Sequence, residues 1–108
     1  MSNLPFDQKL KFDAEMSATL NGSTQLLGIL ANEPVIMLIK NQSTASAFFA
    51  DNPGSTAGTT MVAGEEIVLD CRGNNGTARN MGFPIGTSLY VTGTNASGVF
   101  KVGILYAY

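Results

Sequence analysis

Apolar and polar residues alternate over the N-terminal part of the chain. From Leu4 to Leu20 every even position except Gln8 is apolar, whereas the odd positions carry charged residues, hydroxyls and one proline. Successive side chains of a β-strand point to opposite sides, so a period of two predicts an extended segment with one continuous apolar face. That face has to pack against the protein's own core or against a neighbouring subunit.

The dipeptide Asn21-Gly22 follows this segment and is a strong signal for a two-residue β-hairpin turn. A hairpin here would place Met16 opposite Leu27 and Phe12 opposite Ala31, so the apolar face would continue across both strands. The competing interpretation is a short helix from residue 9 to residue 20, because this segment contains good helix formers and apolar residues four positions apart.

Short strand patterns separated by turn residues make up the remaining sequence. Val35–Ile39 is apolar throughout, as expected of a central strand covered on both faces. The stretch 72–86 is rich in Gly, Asn and Pro and predicts an exposed loop. About six or seven strands with turns between them predict an all-β chain, a single antiparallel β-sandwich or jelly roll. Within this one structural domain, residues 1–33 are the predicted N-terminal arm and hairpin, and residues 34–108 the predicted body.

The charge of the chain excludes some classes of partner. Charged residues make up 13% of the sequence and the net charge is -2, whereas a typical globular protein has about 25% charged residues. The six basic residues are scattered, which argues against nucleic acid. No apolar run reaches the about 20 residues of a membrane span, and the N-terminus lacks the features of a secretory signal. An uncharged polar surface suits packing against protein.

Residues that could carry catalysis or bind metal are few. The chain has no histidine, which excludes Ser-His and Cys-His nucleophile pairs and His-containing zinc sites. Glu65 and Glu66 are adjacent on a predicted strand, so they point to opposite sides and make a poor acid–base pair. A calcium site from Asp51, Asn52 or Asp70 is supported by no spacing. We therefore predict no enzymatic activity, no metal and no cofactor.

The cysteine and the tyrosines have expected structural roles. Cys71 is the only cysteine, so it cannot form an intrachain disulfide, and a reduced, buried thiol is expected. Tyr90, Tyr106 and Tyr108 predict core or interface packing, with an aromatic carbohydrate platform as the alternative.

Four segments resemble a known class of proteins: Ile39-Lys40-Asn41-Gln42-Ser43, Phe49-Ala50-Asp51, the strand from Ala63 to Asp70, and Thr87-Ser88-Leu89-Tyr90-Val91. From about Pro34 to Tyr106 the chain is similar to the small β-sandwich structural proteins of tailed bacteriophage virions. The N-terminal segment departs from the simplest proteins of this kind, and an added arm of this type would suit a subunit that joins its neighbours.

The resemblance implies a non-enzymatic capsid decoration or cement protein. Such a protein binds and stabilises the lattice of the major capsid protein, forms dimers or trimers, is made in the host cytoplasm and resides on the virion surface. A neck, tail or fibre component is the alternative, and a carbohydrate-binding β-sandwich module is a further one. The residues expected at the partner interface are Leu4, Phe6, Leu10, Phe12, Tyr106 and Tyr108.

Overall fold

A computed structural model describes residues 9–54, 57–71 and 83–108. In these residues the chain forms nine β-strands and no helix. The strands are β1 (Leu10–Phe12), β2 (Met16–Thr19), β3 (Thr24–Ile29), β4 (Pro34–Ser43), β5 (Ala47–Ala50), β6 (Thr59–Met61), β7 (Glu66–Asp70), β8 (Ser88–Gly93) and β9 (Gly98–Ala107).

Two antiparallel sheets pack face to face. Sheet A has the strand order β1-β9-β4-β7, with β2 also paired to β9, and sheet B has the order β3-β8-β5-β6. The prediction of an all-β antiparallel sandwich is therefore confirmed. The predicted division after residue 33 falls in the turn between β3 and β4, with strands of the sandwich on both sides of it.

The core lies between the sheets and is filled by alternate residues of each strand. The Phe49 ring of sheet B stacks on the Phe100 ring of sheet A with their centroids 5.7 Å apart. The residues that are wholly shielded from solvent around this pair include Met37, Val102 and Ile104 of sheet A and Met61, Leu89 and Val91 of sheet B.

The turn at Asn21-Gly22 connects the two sheets, and the prediction of a hairpin there is wrong. The strand before it, β2, pairs with β9, whereas the strand after it, β3, pairs with β8. Leu20 N–H donates to the carbonyl of Gly98, and the carbonyl of Leu20 accepts from Ala96 N–H. Gly22 has φ +86°, but Asn21 is not among the positive-φ residues, and the predicted hairpin turn requires positive φ at both positions.

The prediction of one continuous apolar face is wrong, because the pairing with β9 shifts by one residue between β1 and β2. Leu10 and Phe12 lie on the outer side of sheet A, whereas Met16, Ala18 and Leu20 pack in the core. Met16 of β2 lies against Gly28 of β3, where an added Cβ would come within 2.9 Å of the Met16 side chain. The side-chain amide of Gln25 donates to the carbonyl of Thr19 and links the two strands a second time. The alternative of a helix over residues 9–20 is also wrong, because Met16–Thr19 is a strand.

Strand β4 is central in sheet A, between β9 and β7, but only one of its faces is fully buried. Met37 is wholly buried against sheet B, whereas Ile36 and Leu38, on the opposite face, are half-buried. The prediction that both faces of Val35–Ile39 are covered is therefore wrong for the isolated chain, because nothing in the described residues packs over the outer side of sheet A.

A buried asparagine fastens the end of β4 to the connection between β6 and β7. The Asn41 side-chain nitrogen lies 3.0 Å from the carbonyl oxygens of Ala45, Met61 and Val62, and its side-chain oxygen accepts from the hydroxyl of Ser43. Asn41 is 1% exposed. A buried amide with these partners fixes the path by which the chain passes from sheet B to sheet A.

We expect the two faces of β4 to differ in their contribution to stability. Met37→Ala should lower the free energy of unfolding by about 2–5 kcal/mol because it leaves a cavity in the core. Ile36→Ala should lower the free energy of unfolding by roughly 1 kcal/mol, because the Ile36 side chain is still partly in contact with water in the folded chain. Urea unfolding of both variants measures the difference, and equal losses would contradict an open outer face.

We also expect Asn41→Ala to destabilise the chain by about 2–4 kcal/mol, because it leaves buried carbonyl groups without a donor. Gln42→Ala is the matched control: its side chain is exposed on the next position, so its effect should stay within about 0.5 kcal/mol. Thermal or urea unfolding of the two variants provides the comparison.

Candidate assembly surface

Apolar side chains from four strands meet on the outer face of sheet A. Residues directly opposite each other in paired strands project to the same side of a sheet. In one row across the sheet, Phe12 lies opposite Leu105, and Leu105 lies opposite Ile36. In the next row on the same side, Leu38 lies opposite Val68. We call this surface the outer apolar patch, and it consists of Leu10, Phe12, Ile36, Leu38, Val68 and Leu105.

The outer apolar patch is open to solvent. Val68 is 70% exposed and Phe12 is 69% exposed. Leu10 is 39% exposed, and the other three side chains are half-buried by their neighbours in the sheet. Because contiguous apolar surface of this kind marks interaction sites in soluble proteins, the patch is the candidate functional site of the chain.

Charged residues border the patch in two places, and one of them is Asp70, which lies directly opposite Ile36. Lys40 lies between Lys101 and Glu66 in the register of sheet A, one row beyond Leu38. The two lysines lie directly opposite each other, and like charges in such positions repel. At this second border the patch therefore ends at a row of net positive charge.

The predicted interface residues fall into three groups. Leu10 and Phe12 belong to the outer apolar patch. Tyr106 alternates with Leu105 along β9 and so projects to the other side of sheet A. Tyr108 follows the strand, and the Lys11 ammonium lies 5.6 Å from the centre of its ring. Leu4 and Phe6 lie outside the described residues. That any of these six contacts a partner stays a prediction.

The three tyrosines do not form one platform. Tyr90 lies in β8 of sheet B, whereas Tyr106 lies in β9 of sheet A and Tyr108 follows that strand. The predicted alternative of a carbohydrate site built from all three is therefore wrong.

The carboxylates are dispersed. Glu65 uses its side-chain oxygen to accept the N–H of Val62 at 2.9 Å, which caps the turn before β7. Within residues 9–54, 57–71 and 83–108, no three His, Cys, Asp or Glu side chains come together in a way that could hold a metal ion. The same residues include no helix that is long and apolar enough to cross a membrane.

Cys71 lies at the end of β7 and is buried, as expected from the sequence. Burial raises the pKa of the Cys71 thiol above its ordinary value of 9.0, and the negative charge of Asp70 acts in the same direction. The protonated thiol is therefore the favoured form in the folded chain, which makes the side chain a poor nucleophile.

Comparison with known proteins gives one distant structural likeness. The chain is similar to a protein from a structure described as "Bacillus endospore appendages form a novel family of disulfide-linked pili", with a TM-score of 0.48 and 13% sequence identity over 93% of this chain and 89% of that chain. No known protein family and no curated sequence matches. A likeness at this level assigns no function, and the resemblance to phage virion proteins stays a prediction.

We expect Cys71 to make the stability depend on pH in the alkaline range. Because its pKa is raised in the folded chain, its stabilising effect is complete below the ordinary thiol value of 9.0 and is lost as the pH rises through the folded pKa. Unfolding of the wild type and of Cys71→Ala from neutral to alkaline pH tests this. The wild type should lose more stability than the variant, and parallel curves would contradict the assignment.

Proposed function

We propose that this chain is a non-enzymatic structural subunit of a tailed-phage virion, a capsid decoration or cement protein that binds the major capsid protein lattice. The observation that carries the proposal is the outer apolar patch, which spans four strands of sheet A and over which none of the described residues packs. A subunit that docks through this face removes Phe12 and Val68 from water, which favours association.

The border of the patch defines the chemistry of the partner. Lys40 and Lys101 repel each other across β4 and β9. A partner surface with an apolar centre and a carboxylate over this pair would relieve the repulsion and fix the orientation of docking. We propose that the surface that supplies this carboxylate belongs to a different protein.

The N-terminal arm gives the proposal a second contact. Tyr108 N–H donates to the carbonyl of Lys9, so the chain enters β1 at the end of the sandwich where β9 finishes. Leu4 and Phe6 lie within the eight positions before Lys9, and eight extended residues span about 26–29 Å. We propose that these residues contact a neighbouring subunit, which would join copies into a dimer or trimer on the capsid surface.

A neck, tail or fibre location would use the same surface, and the composition of virions separates the locations. Mass spectrometry of purified virions should find this chain in a fixed ratio to the major capsid protein and in many copies per particle. A few copies per particle would indicate a neck, tail or fibre component, and absence from virions would contradict both.

We expect Val68→Ser to weaken binding to capsids that lack this protein by about 10-fold to 100-fold, because one buried valine contributes about 1.5–3 kcal/mol. Val62→Ser is the matched control, since Val62 is 59% exposed and lies outside the patch. Co-sedimentation with the capsids measures both. Equal binding of the two variants would show that the outer apolar patch is not the contact.

Deletion of residues 2–8 tests the arm separately, because it leaves Leu10 and Phe12 of the outer apolar patch in place. The core begins beyond this segment, with Leu20 wholly buried and Met16 and Ala18 packed against it. The truncated chain should therefore stay folded but assemble or bind capsids less tightly. Loss of folding, or capsid binding equal to that of the full chain, would contradict the proposed role of the arm.

A further inference from the structure

The outer face of sheet B differs in chemistry from the outer apolar patch. Thr24, Thr92, Phe48 and Thr60 lie in one row across all four strands of the sheet. The hydroxyls of Thr24 and Thr92 are 2.8 Å apart and share a hydrogen bond. Tyr90 lies one row further along β8 and is half-buried, so part of its ring faces solvent.

Two clefts lie on either side of this row. One has a volume of about 380 Å³ and is lined by Ser46, Thr60 and Thr94, and this volume is within the usual range for small-ligand sites of about 300–1,000 Å³. The other has a volume of about 90 Å³ and is lined by Asn52 and Tyr90. Phe48 and Thr92 line both clefts, so the two adjoin each other, and the larger one is shallow and wide open to solvent.

The lining is polar but uncharged. No Lys, Arg, Asp or Glu is among the described residues that line the two clefts. The hydroxyls of Tyr90, Thr60 and Thr94 donate no hydrogen bond to another described residue, so they are available to a ligand. Asn52, which lines the smaller cleft, accepts from Gly54 N–H through its side-chain oxygen, and its NH₂ group has no acceptor among the described residues.

We propose that this face of sheet B binds a neutral saccharide. A pyranose ring presents C–H groups that pack on an aromatic ring and hydroxyls that exchange hydrogen bonds with threonine, tyrosine and amide groups. The larger cleft has room for a sugar ring beside Phe48. The smaller one suits a substituent such as a hydroxymethyl or acetamido group beside Tyr90 and Asn52. An anionic glycan would find no cation among the described residues that line the two clefts.

The site is independent of the proposed assembly function, because it lies on the other sheet and shares no residue with the outer apolar patch. A saccharide on this face would leave sheet A free to dock on a capsid. Conversely, the failure of one proposal leaves the other standing.

An NMR titration of the full, isotope-labelled chain tests the site. The probes are triacetylchitotriose and maltotriose as neutral saccharides and dextran sulfate as the anionic comparison. We expect at least one neutral probe to shift the amide signals of Phe48, Tyr90 and Thr92, and Val68→Ser to leave these shifts unchanged.

A pair of variants that each remove one hydroxyl sharpens the test. Tyr90→Phe should weaken binding of the neutral probe by about threefold to tenfold, the loss of one hydrogen bond. Tyr108→Phe is the matched control, because Tyr108 is 71% exposed on the other sheet, and its binding should equal that of the wild type.

Three outcomes would overturn the proposal. The first is an absence of shifts with both neutral probes up to their solubility. The second is tighter binding of dextran sulfate than of either neutral probe. The third is a loss of capsid binding by Tyr90→Phe without any saccharide binding by the wild type, which would make this face a protein contact.

Discussion

The pairing of β4 with β9 is the interaction on which the rest of the structure depends. Each strand is ten residues long, and their ladder runs through the middle of sheet A, where β7 attaches to β4 and both β1 and β2 attach to β9. The same ladder serves two surfaces. Ile39 and Val102 pair on the core side, whereas Ile36 and Leu105 pair on the outer side. The core and the outer apolar patch are therefore two faces of one pair of strands.

The sequence predicted which side of each strand is apolar better than it predicted which strands are neighbours. Alternation from Met16 to Leu20 and in β3 correctly indicated two strands with inward apolar faces. The pattern is the same, however, whether two such strands lie side by side in a hairpin or face each other from opposite sheets. The main-chain hydrogen bonds of Leu20 with Ala96 and Gly98 hold the end of β2 beside β9 and not beside β3. These partners are distant in sequence, so the residues Asn21-Gly22 alone could not predict them.

The candidate site was predictable only in part. Leu10 and Phe12 were recognised because they lie in a clear period of two, with polar neighbours. Ile36 and Leu38 were assigned to the core because a run of apolar residues does not show which side of a strand meets the second sheet. Val68 was the signal in the sequence that pointed to an apolar outer face. It lies between Glu66 and Asp70 on the solvent side of an edge strand, where an apolar side chain does not contribute to the core.

The low fraction of charged residues is reflected in the two outer faces of the sandwich. Only 13% of the residues are charged, so few charges contribute to the electric field over the surface. The charges that lie next to a patch would therefore have a large influence on how a partner is oriented there. Lys40 and Lys101 occupy such a position on sheet A. On sheet B the corresponding row consists of three threonines and Phe48. A carboxylate would therefore meet cations beside the first face, whereas the described residues of the row on the second face carry no charge.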